Sequence, residues 1–245
     1  MPQDCHTSRF PHAPLVAALF LSGSLFTGLL AARQTPSERF DYRVRGDFFL
    51  GMAGDAAAMD RAMKLCEETL ANDPENAEAL AWHGSGLIFL GGQTMRAGDY
   101  AKGTPSIARG LREMDDAVAK APDQIGVLIP RGATLLEYSR YDPSPERARS
   151  ELEKALGDYE KVLALQKSDL QSRPVHARGE LLSGLAEGSF RAGDSAKARS
   201  YMERLVQDTA GSPYASRAQH FLTAPVRPKQ LDWHCLGCHV VGTAQ

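Results

Sequence analysis

The chain has 245 residues, with 28 Lys and Arg against 30 Asp and Glu and a formal net charge of −2. That length holds one or two domains, and the near-neutral balance gives no sign of a nucleic-acid partner or a basic membrane-binding surface. Aromatic residues are only 7% while Ala and Leu are plentiful, which favours helices packed through small and aliphatic side chains over a β-sandwich.

The first distinctive element is the stretch Leu15 to Ala32, which carries no charge. Only Arg9 is basic before it. Such a segment is read as a secretory signal peptide or an uncleaved N-terminal anchor, and residues 1–34 are assigned to it. The run is near the minimum length that spans a bilayer. Ala31-Ala32 offers a small-residue cleavage site, although Leu30 fits poorly upstream of it. Cys5 precedes the apolar run, so the pattern is not that of a lipoprotein. Export leaves Cys66, Cys235 and Cys238 and places the chain in the periplasm or on the extracytoplasmic face of the membrane.

Residues 35–223 are expected to be helical throughout. Helices are predicted over 36–53, 56–72, 75–92, 99–120, 123–139, 145–165, 175–192, 194–208 and 212–223. Apolar residues recur at helical spacing, as in Leu156, Tyr159, Val162 and Leu163, or Tyr201, Leu205 and Val206. Gly54-Asp55, Gly98-Asp99 and Gly193-Asp194 mark turns, with Gly ending one helix and Asp capping the next. Tyr141-Asp142 stands at the corresponding third place. Thr104-Pro105 is expected to break its helix, and Pro130 to kink its helix or delay its start. Glu151 to Lys154 is read as a solvated helix face, and Cys66 as a buried, inert thiol.

Glu67-Glu68-Thr69-Leu70 runs into Asp73-Pro74-Glu75-Asn76, and Asp115-Asp116-Ala117-Val118 into Ala121-Pro122-Asp123-Gln124. This junction resembles the tetratricopeptide repeat. The resemblance implies an all-α helical-repeat solenoid of about four helix pairs plus a capping helix, although the spacing of about 44 residues exceeds the 34 of that family. Stacked pairs make a continuous core and a curved surface. The resemblance further implies a groove for protein partners along the first helices of each pair, from Trp82, His83 and Arg131 to Arg178 and Glu180. Residue by residue, Trp82 also suits a core position, His83 a hydrogen-bonded structural histidine and Arg131 a structural ion pair. The chain contains no phosphate-binding glycine loop, nucleophile elbow or zinc-protease helix, so an enzyme is not expected.

Residues 224–245 form a linker, Thr223-Ala224-Pro225-Val226-Arg227-Pro228, and a short tail. The tail holds Trp233-His234-Cys235-Leu236-Gly237-Cys238-His239. Cys235, Cys238 and His239 make a C-x-x-C-H motif, which resembles the haem-attachment site of c-type cytochromes. The resemblance implies haem c bound through Cys235 and Cys238, with His239 as the proximal iron ligand. His220 or His234 would be the distal ligand, with Met202 and His176 as further choices. The tail is too short to enclose a porphyrin as a cytochrome does. Zinc held by His234, Cys235, Cys238 and His239, or a dithiol or disulfide at Cys235 and Cys238, are the competing chemistries. The expected function is an exported scaffold for protein partners that carries one covalent haem and serves as an electron-transfer adaptor. The alternative is a cell-envelope interaction scaffold without haem.

Overall fold

The computed structural model describes residues 39–223. Among these residues the chain is all-α, with nine α-helices, one short 3-10 turn and no strand. The helices are α1 (Phe40–Met52), α2 (Ala56–Asn72), α3 (Ala77–Arg96), α4 (Tyr100–Lys120), α5 (Ile125–Tyr138), α6 (Pro145–Leu165), α7 (Val175–Arg191), α8 (Ser195–Asp208) and α9 (Pro213–Thr223). The 3-10 turn, Leu170–Ser172, precedes α7 and buries Leu170. No helix among the described residues is long and apolar enough to cross a membrane. The expected signal or anchor segment and the C-terminal tail lie outside them.

Local chemistry sets the turns. Gly54, Gly98 and Gly193 take φ of 115°, 93° and 87°, a left-handed conformation that costs glycine little. The aspartate after each glycine caps the next helix: Asp55 accepts from the Ala58 N–H at 3.0 Å, Asp99 from Lys102 at 3.1 Å and Asp194 from Lys197 at 2.9 Å. Each such cap contributes about 1 kcal/mol. The third turn differs from the sequence expectation. Ser144, not Asp142, caps α6, accepting from the Arg147 N–H at 3.3 Å with Pro145 in the first helical position. Asp142 instead accepts from the Ser144 N–H at 2.9 Å and pairs with the Arg147 guanidinium.

These turns fold the chain into helical hairpins: α1 with α2, α3 with α4, α5 with α6 and α7 with α8. The first helices of successive hairpins touch, α1 on α3, α3 on α5 and α5 on α7, and α9 packs against α8. One consequence is a row of inner helices covered on several sides. Gly84, Ser85, Gly86 and Ile88 of α3 are all buried, as are Leu128, Pro130, Arg131, Gly132, Leu135 and Leu136 of α5. The second helices keep a single buried stripe, such as Gly103, Gly110, Met114 and Ala117 of α4. One apolar cluster gathers Val44, Phe48, Met59, Met63, Cys66 and Trp82. A larger one extends from Ile88 and Met114 through Leu135, Leu182 and Met202 to Ala218.

The α3–α4 hairpin closes along a glycine seam. A Cβ on Gly84 would stand 2.6 Å from the Gly110 carbonyl oxygen, and one on Gly110 would stand 2.5 Å from that of Gly84. Seven residues along, Gly91 and Gly103 meet in the same way, at 2.9 and 2.7 Å. Seven residues is two helical turns, so both contacts fall on one antiparallel stripe. Only hydrogen side chains permit backbones this close. The same seam corrects the reading of Thr104-Pro105. Pro105 lies inside an unbroken α4, because the Gly91–Gly103 contact holds the flanking turn against α3. Nor does Pro130 delay its helix, since α5 starts at Ile125.

Candidate functional site

The haem-attachment residues Cys235, Cys238 and His239, together with His234, lie outside the described residues. The described residues end with α9. His220 is exposed in the last turn of that helix, three residues before its end. The last turn of α9 sits beside the end of α7, where the Phe221 and Phe190 rings meet edge to face at 5.7 Å. His220 is therefore open to a ligand. Met202 is not: its thioether is fully buried in the larger apolar cluster. An iron would have to enter the core to reach it. His176 is exposed, but its Nδ1 is engaged with the Tyr214 hydroxyl at 2.8 Å, and that hydroxyl also donates to Glu180.

The expected groove does not have the lining assigned to it. Trp82, His83 and Arg131 are buried at 6%, 2% and 9% exposure. The inner helices are covered by the neighbouring hairpins, so these side chains point between helices. Trp82 packs against Phe48 with ring centres 4.9 Å apart and the planes tilted by 44°. His83 Nδ1 lies 2.6 Å from Glu113, whose other oxygen accepts from Arg109 at 2.8 Å. Burial alone would raise the Glu113 carboxyl. The His83 and Arg109 contacts outweigh it and hold that carboxyl below its ordinary value. Arg178 donates to the backbone carbonyls of Gln171 and Arg173 and so ties down the 3-10 turn.

Arg131 is the centre of a buried ionic knot between hairpins. It grips Asp158 of α6 with two hydrogen bonds, at 2.7 and 3.0 Å, and Asp115 of α4 with a third at 3.0 Å. Lys154 joins Asp115 at 2.9 Å and Glu151 at 3.3 Å. Glu151 is thus a buried partner, which corrects the reading of Glu151 to Lys154 as a solvated face. Burial raises the Asp158 carboxyl despite the guanidinium beside it. A second knot joins Glu187 of α7 to Arg140 and Arg191. Arg191 also donates to the Leu136 carbonyl at 2.6 Å and to the Ser139 hydroxyl at 2.8 Å. Burial pushes the Glu187 carboxyl up to about 7, against both guanidinium groups. A third knot, at the first hairpin junction, was not foreseen. Glu78 accepts from the Asp41 N–H at 3.1 Å and from Gln124 at 2.8 Å, with Arg39 3.5 Å away. A first-turn acid after Asn76 was its only signal in the sequence. Beside it opens a polar cleft of about 290 Å³ lined by Phe40, Arg43, Asp73, Glu75 and Lys120.

Chemically, these knots hold helices in register. Their charged groups pair with one another, although one carboxylate oxygen of Glu151 is buried without a hydrogen-bond partner, and among the described residues no group of three or more His, Cys, Asp or Glu is arranged to hold a metal ion. Cys66 is buried, and burial pushes its thiol up to about 12, which leaves it protonated and unreactive at neutral pH. No family model matches the chain, and no curated protein matches it.

Proposed function

We propose that this protein is an exported helical-repeat scaffold that binds protein partners and carries one c-type haem on its C-terminal tail. The observation that carries the reading is the C-x-x-C-H motif, Cys235-Leu236-Gly237-Cys238-His239. Its donor set fits haem c. Two thiols at this spacing suit the two vinyl groups, and the following imidazole suits the iron. The apolar segment Leu15 to Ala32 supports it, since export brings the thiols to the compartment where such haem is attached. The stacked hairpins, with first helix on first helix, support a tetratricopeptide-like body. A bound haem would supply one-electron transfer. His239 would hold the iron from the proximal side, and His220 or His234 would offer a distal ligand. The ionic knots keep the body rigid, so the tail is presented from a fixed platform to a redox partner.

The test is expression in a host with cytochrome c maturation machinery, beside a control cytochrome. The expected product carries a haem that survives denaturation, with an intact mass raised by one porphyrin. The double variant Cys235→Ala/Cys238→Ala loses the haem and keeps the unfolding midpoint of the body. A colourless product, with the two sulfurs free or joined to each other while the control matures, overturns the haem assignment. The partner-binding scaffold is then the reading that stands.

A further inference from the structure

Helix α1 is apolar on two faces. Phe40, Val44, Phe48 and Gly51 are buried against the rest of the body. The opposite face presents Tyr42 at 42% exposure and Leu50 at 50%, with Gly46 between them in open space. At 100° per residue these three share one stripe, with Arg45 along one edge and Arg43 along the other. Both arginines are exposed, and neither makes an ion pair among the described residues. Arg45 lies over the Tyr42 ring at 4.2 Å and Arg39 over the same ring at 5.0 Å. The acids of the helix are already engaged. Asp41 is buried beside Arg39 at 3.0 Å, and Asp47 pairs with Arg61 at 2.6 Å. The outward face therefore has an aromatic and aliphatic centre edged by arginines: Arg45 acts on Asp41 through space and Arg43 borders the polar cleft with Asp73 and Glu75, but neither is closed into an ion pair. The near-neutral composition of the whole chain averages this local charge away.

We infer that this face of α1 lies on a membrane surface and takes anionic phospholipid headgroups between its arginines. Charge complementarity selects the occupant. Guanidinium groups bind phosphate, tyrosine favours the headgroup level, and leucine reaches the acyl boundary. The position of α1 in the chain supports the same occupant. The charge-free segment ends at Ala32, only seven residues before Arg39. Even fully extended, that link spans about 25 Å. An anchor retained in the bilayer would keep α1, itself about 20 Å long, within reach of the surface. This inference stands apart from the haem, because no residue of the tail takes part.

The experiment places Tyr42→Trp in the full chain and mixes it with vesicles of phosphatidylcholine alone or phosphatidylcholine with phosphatidylglycerol. The wild-type emission, from Trp82 and Trp233, is subtracted. With phosphatidylglycerol the added emission is expected to shift to the blue and to be quenched by lipids brominated near the headgroup. Each arginine near an anionic surface contributes about fivefold, so adding Arg43→Glu and Arg45→Glu lowers the docked-to-free ratio about 30-fold or more. Pure phosphatidylcholine and high salt are expected to abolish the quenching as well. Vesicle flotation reads the same contrast when the chain recovered from the host begins beyond Ala32. A melting curve confirms that the surface variants fold. Emission that ignores phosphatidylglycerol, or quenching that survives charge reversal, overturns the inference. A blue shift that grows with protein concentration without lipid overturns it in favour of self-association.

Discussion

The glycine seam makes two predictions of opposite sign from one substitution type. Replacing an interior helical glycine by alanine removes backbone freedom from the unfolded chain and stabilises a helix by about 1 kcal/mol where the methyl has room. At Gly157, exposed on α6, a Cβ meets nothing within 4 Å, so Gly157→Ala is expected to gain that amount. At Gly110 the added Cβ would stand 2.5 Å from the Gly84 oxygen and 2.8 Å from the Ile88 Cγ1. The Gly84 oxygen belongs to backbone and cannot rotate away, so α3 and α4 must separate along the whole seam. Overpacking of this kind costs about 1–3 kcal/mol, and a rigid backbone neighbour puts it at the upper end. After the propensity gain, Gly110→Ala should lose about 1–2 kcal/mol. For a domain of this size that lowers the melting temperature by about 2–8 °C, while Gly157→Ala raises it by about 2–4 °C. Thermal and urea unfolding followed by circular dichroism measure both. A Gly110→Ala protein as stable as wild type, alongside a stabilised Gly157→Ala, would refute backbone contact between the two helices.

The buried knots give two further tests. Arg131→Met strands Asp158, whose side chain is only 5% exposed, and should cost about 3–5 kcal/mol in urea unfolding. Arg131→Met/Asp158→Leu should recover most of that loss, and equal losses in the single and double variants would count against an ionic role. For Glu187, burial raises the folded carboxyl from its ordinary 4.5 to about 7. The folded state therefore holds this proton more tightly than the unfolded chain. The resulting stability is complete below about 4.5 and is lost as pH rises through about 7. Glu187→Gln does not titrate, so its stability relative to wild type should improve as pH rises across that window. A difference that stays flat, or falls, is incompatible with a raised carboxyl pKa.

Much of the helical body was legible in the amino-acid order because its signals are local. A glycine in left-handed conformation followed by a capping aspartate acts within a few residues, so the boundaries near Gly54 and Gly193 and the start of α4 stand within a residue or two of their expected places, whereas α3 runs on to Arg96, four residues past its expected end. The apolar spacing of Leu156, Tyr159 and Val162 likewise marks the inner stripe of α6 without reference to any other helix. The misread elements share one cause. Pro105 and Glu151 are judged locally as a breaker and a solvated acid, but the Gly103 seam holds the first in a helix and Lys154 partners the second. For Trp82, His83 and Arg131 the residue-by-residue readings as core, hydrogen-bonded histidine and ion pair hold, while the groove that the repeat resemblance implied is closed over them by the stacking of the hairpins.

The sequence alone determined that the described body would be helical and where it would turn, since capping and periodicity are properties of neighbouring residues, and the ligand spacing behind the haem proposal is local in the same way. Only tertiary structure decided which side chains are enclosed. Burial depends on segments dozens of residues apart, such as Arg131 with Asp115 and Asp158, or Gly84 with Gly110. Those pairings arise when whole helices pack, and no short window of sequence contains both partners.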